Sequence, residues 1–66
     1  MKNKLQELRK NRKLTQEQLA EIIGVSRQTI NAIEKGKFDP SLPTAFRMAQ
    51  LFETKIEDIF LFNDKE

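Results

Sequence analysis

The sequence predicts an all-α fold, a bundle of five short helices. Three observations lead there. Apolar residues recur at regular helical spacing rather than in low-complexity blocks. Serine or threonine caps and two glycines divide the chain into segments of helical length. Two of those segments are joined only by Gly24, Val25 and Ser26, too short a link for anything but a sharp angle between helices.

The first helix is expected over about residues 3–12, with Leu5 and Leu8 inward and Lys4, Lys10 and Arg12 toward solvent. The second opens at "LTQEQL". Thr15 suits the N-cap and Gln18, three residues on, completes a capping box, with Leu14 and Leu19 placed as a hydrophobic staple. Leu19, Ala20, Ile22 and Ile23 supply its apolar stripe, and Gly24 ends it in the left-handed conformation. The third helix repeats these devices. Ser26 caps it, Val25 and Ile30 form the staple, Ile30 and Ile33 face inward, and Gly36 closes it.

After a loop turned by Pro40, the fourth helix is expected over residues 42–52, with Ser41 as cap and Pro43 tolerated in the first turn. Its apolar set is Leu42, Ala45, Phe46, Met48, Ala49, Leu51 and Phe52, too many for one narrow stripe, which argues for a central position. A short fifth helix covers residues 56–60, with Glu57 and Asp58 at its positive N-terminal end. The run Ile59, Phe60, Leu61 and Phe62 then exceeds what one helical face can hide. It either tucks under the first helix or forms a strand or patch that pairs two chains. Pairing is the expectation, giving a dimerisation tail at about residues 59–64.

Sixty-six residues make one domain, 1–66, and the chain contains neither cysteine nor histidine. Disulfides, thiolate metal sites, nucleophilic triads and imidazole bases are therefore absent or improbable, so neither an enzyme nor a cofactor is expected. No apolar run approaches the roughly 18 residues of a membrane span, and no signal-peptide pattern opens the chain; a cytoplasmic location is expected.

The net charge of +2 hides an asymmetry: residues 1–37 carry nine basic and four acidic residues, residues 38–66 three basic and six acidic. One half suits a polyanion. The third helix says which. At 100° per residue from Arg27, Ile30 and Ile33 fall at about 300° and 240°, so the opposite face carries Gln28, Asn31 and Lys35, flanked by Arg27 and Ala32. Amides and a guanidinium are the groups that bond bidentately to adenine and guanine in the major groove. Arg27 and Gln28 occupy the first turn, the end that enters the groove. Thr29 reaches a thymine methyl or a phosphate, and Gln16, at the start of the second helix, lies where a helix N-terminus favours an anion. Each of these residues alone is equally at home on a solvated helix; the conjunction points to base reading.

The stretch "LTQEQLAEIIGVSRQTINAIEKGKFDPSLPTAFRMAQLF" resembles the Cro/repressor-type helix-turn-helix, the XRE family, through Thr15, Gln16, Ala20, Gly24, Ile30 and Ile33. The resemblance implies a five-helix lambda-repressor-like bundle, its motif at about residues 15–36, that binds double-stranded DNA in the major groove as a homodimer on a palindromic operator. It places Arg27, Gln28, Thr29 and Asn31 at bases or nearby backbone, and Gln16, Ser26, Lys35 and Lys37 at phosphates. It pairs Arg9 and Glu34 as a structural salt bridge. A repressor is the simplest action for a bare DNA-binding dimer, although Glu17 and Glu21 offer a surface for activation. The alternative is a protein-interaction module of antitoxin type, with the acidic half and apolar tail as its binding features.

Overall fold

The structure, a computed structural model, describes residues 1–63. It contains five helices, α1 (Leu5–Asn11), α2 (Gln16–Ile23), α3 (Arg27–Glu34), α4 (Leu42–Leu51) and α5 (Ile56–Ile59). Two short strands, β1 (Lys2–Asn3) and β2 (Phe60–Leu61), complete the described part. The bundle is thus all-helical apart from one two-stranded ribbon.

Local chemistry places the helix ends. The Thr15 hydroxyl accepts from the Gln18 amide and the Gln18 side chain accepts from the Thr15 amide, so both halves of the capping box form. Ser26 and Ser41 cap α3 and α4 in the same manner, accepting from the backbone of Thr29 and Thr44. Gly24 stands at φ +90° and closes α2, as its sequence position predicts. Gly36 lies two residues past the end of α3, after the C-cap Lys35, at φ +74°, where its N–H reaches the Ile33 carbonyl and that of Lys37 reaches Ala32, a Schellman closure. Lys13 and Glu53 close α1 and α4 with the same pair of bonds, at φ 58° and 53°. These two side chains occupy a conformation that favours glycine.

Every helix sends at least one side chain to the centre of the core. Leu5, Leu19, Ile30, Ile33, Met48 and Ile59 are fully enclosed, drawn from α1, α2, α3, α3, α4 and α5 in turn. Burial of each contributes about 1.5–3 kcal/mol. Val25 packs against this cluster from the turn between α2 and α3.

Three expectations are corrected. The first helix starts at Leu5, not residue 3, because Asn3 belongs to β1; its side-chain oxygen accepts from the Leu5 amide while its Nδ2 donates to the Ile33 carbonyl at 2.7 Å. The apolar stripe of α2 excludes Ile22, and that of α4 excludes Leu42 and Phe46; all three are exposed, since the helical period turns them off the buried face. Phe60 leaves α5 with extended backbone and opens β2.

The apolar run at the C-terminal end is divided. Ile59 is fully buried and Phe60 is buried in the core of their own chain. Leu61 and Phe62 remain exposed. The strand foreseen there pairs with this chain's own β1, antiparallel, Lys2 opposite Leu61 and Asn3 opposite Phe60. The Lys4 amide extends the ribbon by bonding the Ile59 carbonyl at 2.8 Å. Residue 64, at the end of the expected tail, lies outside the described residues.

Candidate nucleic-acid interface

The outward face of α3 is positioned by three supports. Ile30 and Ile33 anchor its inner face, Ser26 fixes its first turn, and a polar cluster holds its last turn against α1 and α2.

That cluster is built on Arg9. Its Nε donates to Glu34 Oε2 at 2.7 Å, its Nη2 to Glu34 Oε1 at 3.3 Å, and its Nη1 to the Leu14 carbonyl at 2.8 Å. The side chains of Arg9 and Glu34 are 9% and 3% exposed, so this is a buried, bidentate pair, and it agrees with the pairing that the family resemblance implies. Glu34 is the single acid of α3. Enclosing and neutralising it leaves the surface of that helix with Arg27 and, just beyond its end, Lys35 and Lys37, all exposed and all positive.

Arg27 and Gln28 project to solvent from the first turn, next to the connection from α2. Thr29 is half-buried and its hydroxyl shares a 2.9 Å hydrogen bond with that of Ser26, which is itself exposed. Asn31 is half-buried one turn after Arg27, and its Oδ1 accepts from Gln16 Nε2 at 3.1 Å. Gln16 Nε2 also donates to Glu34 Oε1 at 3.0 Å. Both hydrogens of the Gln16 amide are therefore used inside the protein. For an anion at the start of α2 Gln16 keeps its backbone N–H, one of the unpaired donors of a helix N-terminus.

Sequence reasoning brought Arg27, Gln28, Asn31 and Lys35 to one face, and the structure places them together there. It missed the Gln16–Asn31–Glu34 junction. The signal was present only indirectly, in an amide at the first position of α2 facing a helix whose last turn holds a carboxylate.

Among the described residues no group of acids and other ligating side chains could hold a metal, and no helix is long and apolar enough to cross a membrane.

A capped helix, a three-residue turn and a second helix with a polar, cationic outer face compose a helix-turn-helix DNA-binding domain. The chain belongs to the helix-turn-helix family of XRE type, whose profile matches residues 5–59. Over 66 residues it is 62% identical to an HTH-type transcriptional regulator of Methanocaldococcus jannaschii, with both chains covered completely. It is 46% identical over 65 residues to the HTH-type transcriptional regulator YgzD of Bacillus subtilis, covering 98% of each. Among solved structures it resembles the restriction-modification controller protein C.AhdI of Aeromonas hydrophila, with a TM-score of 0.74 and 30% identity over 85% of each chain. The protein is a transcriptional regulator whose partner is double-stranded DNA, and it is not an enzyme.

Proposed function

We propose that the protein is a repressor that binds a palindromic operator as a homodimer, with α3 of each protomer in the major groove, the chain acting throughout as one DNA-binding domain. The observation that carries the reading is the outward face of α3, which joins Arg27, Gln28 and Asn31 to Lys35 and Lys37 with no exposed acid among them. Arg27, Gln28, Thr29 and Asn31 are the base-reading set. Ser26, Lys35, Lys37 and the backbone N–H of Gln16 approach phosphates. Occupying a promoter in this way blocks polymerase without any further activity.

Dimerisation rests on the apolar groups that remain exposed near the ribbon. Phe62, the residue that follows β2, is 75% exposed. Phe60, Ile56 and Leu42 line one apolar groove, and Leu42 is 65% exposed. A second copy seated on this surface gives the two-fold symmetry that a palindrome requires.

The test is selection of bound duplexes from a random pool, with sedimentation of the same complexes. Enrichment of a palindrome with half-sites about one helical turn apart and two chains per duplex is expected. An enriched single half-site bound by one chain would overturn the homodimer. No enrichment, with binding that simply fades as salt rises, would overturn base reading and bring forward a protein partner.

A further inference from the structure

We infer that Gln16 is a positioning residue for Asn31: the chain of hydrogen bonds from Arg9 through Glu34 and Gln16 holds the Asn31 carbonyl inward, so that Asn31 meets DNA as a donor to an acceptor edge of a base. This rests on the DNA-reading role of α3 proposed above.

The polarity of both amides follows from charge. The Glu34 carboxylate, fixed by two bonds from Arg9, can only accept. The Gln16 atom that lies 3.0 Å from it is therefore its nitrogen. The second hydrogen of that nitrogen points to Asn31 at 3.1 Å, and the atom it meets must accept, which makes it the carbonyl oxygen. Turning the Asn31 amide over would set two NH2 groups face to face. Turning Gln16 over would set its oxygen against a buried carboxylate. Both alternatives replace attraction by repulsion.

Apart from the second lone pair of the carbonyl that is turned to Gln16, what Asn31 has left is its Nδ2. Among the described residues no hydrogen bond consumes either Nδ2 hydrogen. A bidentate adenine contact needs the N–H and the C=O of one amide turned to the base together. Here the C=O is turned to Gln16. Two N–H hydrogens fit the neighbouring N7 and O6 acceptors of guanine, and one fits the O4 of thymine; the N4 amino group of cytosine is rejected. Gln28 carries no such restraint: its amide is exposed and has both groups free of protein partners among the described residues. The two amides of α3 are thus unequal readers, Gln28 suited to adenine and Asn31 to an acceptor edge.

The experiment measures base preference position by position in the selected operator for the unsubstituted chain, Asn31→Ala, Gln16→Met, Gln16→Lys and the pair Gln16→Met with Asn31→Ala. Loss of preference in Asn31→Ala identifies its base pair, which is expected to present guanine or thymine to Asn31. Gln16→Met keeps side-chain length and leaves the Arg9–Glu34 pair intact, and a thermal melt confirms its fold. It should cut discrimination at that one base pair by about tenfold, with other positions and the salt slope unchanged. Gln16→Lys, which again offers only donors to Glu34 and Asn31, should restore the preference. In the Asn31→Ala background the Gln16→Met change should have no further effect.

A uniform loss of affinity on every sequence with a shallower salt slope would overturn the inference and make Gln16 a direct phosphate ligand. Adenine preference at the Asn31 position, or an unaltered preference in Gln16→Met, would overturn it as well. If the unsubstituted chain enriched no sequence, the DNA-reading role itself would fall, a result distinguishable from failure of the Gln16 relay.

Discussion

Arg9 shows how much one side chain can decide. It neutralises the one acid of α3, ties α1 to the loop before α2 through the Leu14 carbonyl, and fixes the carboxylate on which Gln16 depends. Arg9→Met leaves a Glu34 side chain that is 3% exposed without its counter-charge. The expected cost is about 3–5 kcal/mol, a large part of the stability of so small a domain, read by urea or thermal unfolding. Adding Glu34→Leu should recover most of that loss, because a buried pair replaced by apolar groups is often near neutral. An equal or greater loss in the double variant would mean that the pair supplies net stability of its own. Lys13 offers a change in the other direction. It holds φ 58° with an L side chain, so Lys13→Gly should stabilise by about 1 kcal/mol, visible as a higher Tm.

At the scale of the element, the helices announced themselves through their ends. Thr15 with Gln18, Ser26, Ser41 and Gly24 act over three or four residues, so their chemistry can be read without knowing what lies across the bundle. The left-handed closures at Lys13 and Glu53 could not be read in this way, since neither residue favours that conformation and only the packed helices around them enforce it. The outer face of α3 was legible for the same local reason, periodicity around Ile30 and Ile33. The inward turn of the Asn31 carbonyl was not, because its cause sits on α2 and α1. Two substitutions separate reading from attraction on this element. Gln28→Ala should keep the fold and cost roughly 1–3 kcal/mol of discrimination at one base pair per half-site. Lys37→Ala should weaken binding to all sequences alike and lower the salt slope by about 1. Binding isotherms across a salt series, on operator and on scrambled duplex, check both.

For the molecule as a whole, the division of the C-terminal apolar run is the main departure from what the sequence suggested. Four consecutive apolar residues looked like one surface; the turn from α5 into β2 buries the first two and presents the last two. A partner strand from "MKNK", poor in β-forming residues, carries no local signal, and its pairing with residues near the other end exists only in the assembled bundle. The exposed remainder gives a clean test of assembly. Phe62→Ser alters a residue outside the core, so the monomer should keep its melting behaviour at low concentration while the dimer proposed above dissociates by sedimentation. Affinity for a single half-site should survive as affinity for the full palindrome falls. An unchanged sedimentation coefficient would remove Phe62 from the interface.

The ribbon between β1 and β2 also bears on the order in which the chain assembles. Residues 2 and 61 meet only after almost the entire sequence has been drawn into a closed circuit, and the entropy of that closure has to be met before its few backbone bonds return anything. The α2–α3 hairpin needs no such closure, since its contacts lie within a short span of chain. Folding should therefore begin at the DNA-reading hairpin and finish at the ribbon, and opening should run in reverse. Amide hydrogen exchange would record this as faster exchange at Lys4, whose bond to Ile59 extends the ribbon, than at Ile30 in the middle of the bundle. The reading helix would then stay formed through fluctuations that briefly unfasten the surface where a second chain is proposed to sit.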